Sequence, residues 1–289
     1  MKKNDFLFGI VALILLVVSV LHYTEGTEQL LFKELSIKNG EELIAITDSL
    51  VVPVLYDTLI VDRFAPTEVR KNQFINQVLP AILIVRYQTE HKSKRVEQII
   101  QNFNNNLAVS PCEVAFIDSM MKRYNAKSYE NLLVRMKPHP TSLVLAQAIV
   151  ESGWGQSRFA AEGYNLFGMW GVPGDPNILK SLYSRGEQQI FLKKYNSIAE
   201  SIDHYFLTIG RNNAYKGFRQ KRYSEPDVYE LIGLLDKYSE NGEEYILMLR
   251  KIIDWNNLLQ YDHYQIDPAY LQRQSLLEEL YFKFKTKFR

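Results

Sequence analysis

The sequence predicts a mainly α-helical domain that carries one small β-hairpin lobe. Three observations lead there. Leu143 to Val150 is apolar apart from Gln147, and a helix apolar on nearly every side is buried on nearly every side. Upstream, Phe74, Val78, Ile82 and Val85 recur at helical spacing. Downstream, Ile178, Leu182 and Tyr183 are separated from Ile190, Leu192 and Tyr195 by Ser184-Arg185-Gly186, the pattern of two strands about a turn.

Composition sets the outer bounds. A chain of 289 residues allows one good-sized domain with extensions. With 46% hydrophobic and 23% charged residues it is globular, and a net charge of +1 gives no electrostatic case for a nucleic-acid partner. Cys112 is the single cysteine. No intrachain disulfide can form, so packing alone must hold the fold.

Taken in order, residues 1–23 open with Lys2-Lys3 and an apolar run, Phe6 to Leu21. A positive flank before such a run is an export signal. No Ala-x-Ala site follows, so the segment reads as an uncleaved inner-membrane anchor rather than a cleaved signal peptide. The basic end stays inside and the remainder faces outward, placing the protein in the cell envelope. Residues 24–105 form a stem and a helical extension. Within it, Leu50 to Val61 is rich in β-branched residues and suits a strand or short hairpin around Pro53. Thr67 is a candidate N-cap for a helix that runs to about Asn105, with a kink expected at Pro80.

Residues 106–262 form the main domain, and 263–289 a tail in which aromatic and basic residues alternate. Helices are expected over Pro111–Tyr124 and Ser128–Met136, followed by an elbow at Lys137-Pro138-His139-Pro140. His139 reads as a loop residue, since no second His or Cys stands at metal-ligand spacing. The central helix follows, entered through Pro140 with Thr141 or Ser142 as its cap and stopped at Gly153.

Glu151 stands at the end of that helix. Burial disfavours its charged form, and so does the negative end of the helix dipole. No Arg or Lys lies within a helical turn to offset them. A carboxylic acid that keeps its proton near neutral pH suits a general acid for glycoside cleavage. The competing reading is an exposed Glu at a helix end. Trp154 beyond it reads as a core plug or a sugar platform. Asn165 can both donate to and accept from an N-acetyl or hydroxyl group. Further helices are expected over Ser197–Thr208, Tyr229–Leu235 and Ile246–Leu259, with Asn213–Phe218 as a loop.

The run Ala146-Gln147-Ala148-Ile149-Val150-Glu151-Ser152-Gly153-Trp154-Gly155, then Ser157-Arg158-Phe159-Ala160, then Asn165-Leu166-Phe167-Gly168, resembles the signature of bacterial N-acetylglucosaminidases of glycoside hydrolase family 73. Arg70 to Ile84 is similar to the segment preceding the catalytic domain in the Bax-type branch. The resemblance covers roughly residues 70–260. It implies a lysozyme-like α+β catalytic domain that cuts peptidoglycan glycan strands after N-acetylglucosamine, with no metal or organic cofactor. It implies Glu151 as the acid and a groove lined by Asn165, Phe167, Trp170, Tyr215 and Tyr245. Family members carry a second carboxylate on the hairpin, for which Glu187 is the nearest match, with a solvated hairpin Glu as the rival reading. A tyrosine that assists the acid matches Tyr238 or Tyr245, and Tyr238 is preferred. Water activation is open between Glu187, Tyr238 and the substrate's own acetamido group. The rival functions are a lytic transglycosylase and a non-catalytic glycan-binding module.

Overall fold

The computed structural model describes residues 28–186, 188–224 and 227–273. The expected anchor at 1–23 and the tail from 274 on lie outside the described residues. Among the described residues no helix is long and apolar enough to cross a membrane. Two units are distinguished, Phe32–Asp267 and the pair of flanking segments. In the flanking unit, β1 (Glu28–Leu30) pairs antiparallel with β8 (Leu271–Arg273).

In the main unit the first short strands are β2 (Lys33–Leu35), β3 (Leu50–Val51) and β4 (Val54–Tyr56). Of the strand or short hairpin expected around Pro53, strands form on both sides of it but do not pair with each other. Instead β3 pairs parallel with β7 (Gln265–Ile266) and β4 pairs parallel with β2. Pro53 has no N–H to give a ladder, and the two strands it separates find separate partners.

Helix α1 (Thr67–Asn104) runs unbroken through Pro80. Its residues Phe74 to Val85 are almost all buried, so the extension belongs to the core of this unit. Thr67 is the first helical residue rather than the cap. Pro66 occupies the cap position without a side-chain bond, and Thr67 Oγ1 accepts from Arg70 at 3.2 Å. Helix α2 (Pro111–Tyr124) opens with a capping box in which Ser110 and Glu113 satisfy each other's backbone N–H groups. It packs with α3 (Tyr129–Met136) and the end of α1 around Val96, Ile99, Ile117, Leu132 and Met136.

The central helix α4 (Thr141–Ser152) is buried from Thr141 to Ile149. It touches α1, α9 (Gly242–Trp255) and the 3-10 turn Leu258–His263. Neither Thr141 nor Ser142 caps it, because both already lie in its first turn. The cap comes from 120 residues away: Ser142 N–H and Oγ–H donate to the two carboxylate oxygens of Asp262 at 2.8 and 2.7 Å. A carboxylate on the first-turn N–H groups satisfies orphan donors and suits the positive helix end.

Helix α5 (Arg158–Gly163) leads into the hairpin of β5 (Ile178–Arg185) and β6 (Gln188–Lys193). Gly186, at φ +60°, makes the turn. Helix α6 (Ile198–Arg211) follows. Asp203 on it pairs with Arg123 at 2.5 Å. The stretch expected as a loop holds a 3-10 turn, Asn213–Tyr215, and then α7 (Lys216–Tyr223), followed by short α8 (Val228–Ile232). Arg219 explains α7: it is buried and donates to the carbonyls of Ile209 and Asn212, binding the new helix to the end of α6.

Candidate active site

Glu151 lies in the last turn of α4, half-buried, where the burial of Thr141–Ile149 gives way. The helix stops because Gly153, Trp154 and Gly155 are all left-handed, at φ +59°, +59° and +76°. Ser152 ties off the end: its hydroxyl donates to Ala148 O at 2.5 Å and accepts from Gly155 N–H at 2.8 Å. Gly155 is required by closeness as well as by φ, since a Cβ there would stand 3.0 Å from Phe74 Cδ2. The half-buried Trp154 ring packs edge-on against Phe74 at 5.7 Å.

The segment Asn165–Trp170 returns across the Glu151 carboxyl. Gly168 takes φ +65°, and a Cβ there would sit 3.2 Å from Glu151 Oε2. The backbone thus approaches the acid as closely as a glycine permits. Asn165 holds this segment in place. Its amide donates to Met169 O at 2.8 Å and Lys193 O at 2.9 Å, and its Oδ1 accepts from Met169 N–H at 2.9 Å. Both amide hydrogens are therefore engaged, and the residue is only 2% exposed. These bonds give Asn165 a structural duty: it fastens the segment to β6.

Four tyrosines gather round the carboxyl. Tyr205 comes from α6, Tyr215 from the 3-10 turn, Tyr238 from the segment before α9, and Tyr245 from α9. The Glu151 charge acts on all four. Phe167, expected in the groove, stacks on Tyr205 at 4.2 Å and is buried. Tyr238 and Tyr245 stack at 5.5 Å, nearly parallel, yet their hydroxyls differ. Tyr238 donates to Phe167 O at 3.0 Å. Tyr245 is the one hydrogen-bonded to the Glu151 carboxyl. Of the two tyrosines expected near the acid, Tyr238 has its proton engaged by a backbone carbonyl, while Tyr245 acts on the carboxyl. Trp170 lies at the hairpin, bridged to Leu192, with 62% of its surface exposed. Glu187 falls outside the described residues.

Burial pushes the Glu151 carboxyl up from its ordinary value, and the Tyr245 hydrogen bond opposes this in part. Burial likewise pushes Tyr238 and Tyr245 well up, so both phenols keep their protons and act as donors. The site therefore holds a carboxyl whose proton is held more tightly than usual, with a partly open face, surrounded by neutral hydroxyls. Gln147 and Tyr205 belong to it as well. Tyr205 O–H donates to Gln147 Oε1 at 2.5 Å and Gln147 Nε2 donates to Tyr245 Oη at 2.9 Å. Sequence reasoning passed over both, although a lone Gln in an apolar helix was a signal that something polar faces it. A cavity of about 390 Å³, lined by Arg86, His139, Arg222 and Asp262 among others, opens beside the other end of α4 and does not include Glu151. There His139 is a buried core group. It accepts from Arg222 at Nδ1, 2.7 Å, and burial with the Arg222 charge holds it well below its usual value.

Comparison with known proteins places this site in context. The Glucosaminidase family model, described as mannosyl-glycoprotein endo-beta-N-acetylglucosaminidase, matches residues 126–280. Protein Bax of Escherichia coli K12 is 28% identical over 190 residues, covering 61% of this chain and 66% of Bax. Peptidoglycan hydrolase FlgJ of the same strain is 30% identical over 149 residues, covering 47% of this chain and 45% of FlgJ. The chain thus spans just under two thirds of Bax and less than half of FlgJ. The catalytic domain of autolysin Auto from Listeria monocytogenes is 24% identical, with a TM-score of 0.36, over 57% of this chain and 96% of that domain.

Proposed function

From the premise that the chain belongs to the glucosaminidase family, we propose that it is a peptidoglycan hydrolase cutting the glycan strand after N-acetylglucosamine, with Glu151 as general acid. The observation that carries this is the half-buried Glu151 carboxyl, raised by burial and hydrogen-bonded by Tyr245. An acid in that state holds its proton until the leaving oxygen takes it. As the glycosidic bond breaks, the proton passes from Glu151 to that oxygen, and Tyr245 donates to the carboxylate left behind. Tyr238 keeps the Phe167 carbonyl in place and so shapes the site rather than reacting. Trp170 offers an exposed aromatic face for a sugar ring. The likeness to a relative named peptidoglycan hydrolase supports wall glycan as the substrate. The water is activated by Glu187 or by the substrate's acetamido group, and the rate of Glu187→Gln separates the two. Lys2-Lys3 and the apolar run after them support a tether to the inner membrane with this domain outside the cytoplasm.

Mass spectrometry of wall digested by the purified protein tests the reading. Strands ending in reducing N-acetylglucosamine support it. Anhydro-muramyl ends identify a lytic transglycosylase instead, and intact strands with bound protein identify a glycan-binding module.

A further inference from the structure

We propose that Gln147 is a positioning residue: its side-chain amide orients the Tyr245 hydroxyl so that the phenolic proton is delivered to Glu151. This rests on Glu151 being the acid.

The argument is one of hydrogen-bond direction. Gln147 and Glu151 stand four residues apart, on the same face of α4. Gln147 is fully buried, so its two amide hydrogens and its oxygen must find partners inside the protein. It lies between two phenols, Tyr205 at 2.5 Å from Oε1 and Tyr245 at 2.9 Å from Nε2. An amide has one accepting end and one donating end, so two orientations exist. With Oε1 toward Tyr205, that phenol donates to Gln147, Gln147 donates to the Tyr245 oxygen, and the Tyr245 hydrogen is left for Glu151. With the amide reversed, Tyr245 must give its hydrogen to Gln147, Glu151 loses its donor, and the Tyr205 hydrogen loses its acceptor. The first orientation makes one more bond in total and leaves neither phenol hydrogen without an acceptor. In a buried network each lost partner is costly, so the amide is fixed and the Tyr245 proton is fixed with it.

Tyr205 is itself held from the other side. Phe167 stacks on it at 4.2 Å, and His139 packs against it at 5.3 Å. His139 accepts from Arg222, so its ring does not compete for the Tyr205 proton at Nδ1. The groups that face Glu151 are then Tyr205 from α6, Tyr215 with Asp236 beside it, Tyr238, and Tyr245 from α9. Tyr245 alone among these phenols acts on the carboxyl by a hydrogen bond. The catalytic meaning follows. Burial makes Glu151 hold its proton more tightly, and the aligned donor stabilises the carboxylate that forms as the proton leaves.

The test is a double-mutant cycle on the full chain with Gln147→Met, Tyr245→Phe and the pair. Gln147→Met keeps the length of the side chain and removes its directionality. Folding is checked by thermal melting, and Glu151 is followed by carbon-13 NMR of its carboxyl across pH in the unliganded protein. In Gln147→Met the Glu151 titration should move to higher pH and kcat on wall glycan should fall about tenfold, the scale of one charged hydrogen bond. In the Tyr245→Phe background Gln147→Met should add nothing to either. A folded Gln147→Met whose Glu151 titration is unmoved overturns the proposal, and so does a Gln147→Met effect that persists undiminished without the Tyr245 hydroxyl. Should Gln147→Met fail to fold, Tyr205→Phe, which releases the amide from its other side, must give the same upward move. If the titration moves as expected while Glu151→Gln cleaves at the full rate, the alignment stands and it is the role of Glu151 as acid that fails.

Discussion

Gly168→Ala tests how tightly the acid is enclosed. Gly168 is left-handed, at φ +65°, and a methyl added there meets Glu151 Oε2 at 3.2 Å. Two costs follow, and they separate. An L residue in left-handed backbone costs about 1–2 kcal/mol, which lowers stability. The contact with Oε2 is tighter than ordinary packing, so the carboxyl or the Asn165–Trp170 segment must shift by a few tenths of an ångström. Asn165 resists movement of that segment through its three hydrogen bonds, and the carboxyl therefore moves. A displaced catalytic group costs on the order of 10²-fold in rate when the shift approaches 1 Å. The control is Gly153→Ala: its φ is +59°, yet nothing lies within 4 Å of the added methyl. Both variants should lose about the same 1–2 kcal/mol in denaturant unfolding. Gly168→Ala alone should also lose up to about tenfold in wall-glycan release. Equal rates for the two variants at equal stability would refute the close approach to Glu151.

Other expectations divide structural from catalytic roles. Asn165→Ala strands Met169 N–H and takes a donor from Lys193 O, while Met169 O keeps its bond from Lys193 N–H, so it should destabilise by about 2 kcal/mol, while the KM of any folded fraction stays near that of the native protein. Trp170→Ala, at an exposed position, should leave the melting temperature unchanged and raise KM for glycan, which a binding isotherm on purified wall would check. The raised Glu151 value makes stability pH-dependent. Between the ordinary carboxyl value and the raised one, the native state holds a proton that the unfolded state has released, so stability falls as pH rises through that window. Glu151→Gln abolishes this fall, and melting curves taken across the window should show its advantage growing with pH and then levelling.

The parts of the fold that were legible were those written in local pattern. The central helix was readable because nine consecutive residues from Thr141 are buried, which leaves an apolar run with little room for another interpretation. The hairpin and the extent of α2 were readable for similar local reasons. What was not legible came from partners distant in sequence. Asp262 caps α4 across 120 residues, so Thr141 and Ser142, good caps by type, were free to enter the helix. Tyr238 and Tyr245 are seven residues apart and stack together; only the placement of Phe167 O decides which hydroxyl is left for Glu151. Asn165 has the chemistry of a ligand-binding residue and spends both amide hydrogens on backbone. The polar type of a residue says that it must be satisfied, and the fold decides whether by substrate or by the chain itself.

The most direct test of Glu151 as the acid is side-by-side digestion of purified wall glycan by the native protein and by Glu151→Gln, with released ends counted by mass spectrometry and folding confirmed on the same samples. The amide keeps the size of the side chain and has no proton to transfer. Native protein should release strands ending in N-acetylglucosamine, while the folded variant should bind the same glycan and release almost none. A folded Glu151→Gln protein that releases the same ends at the native rate would contradict the mechanism.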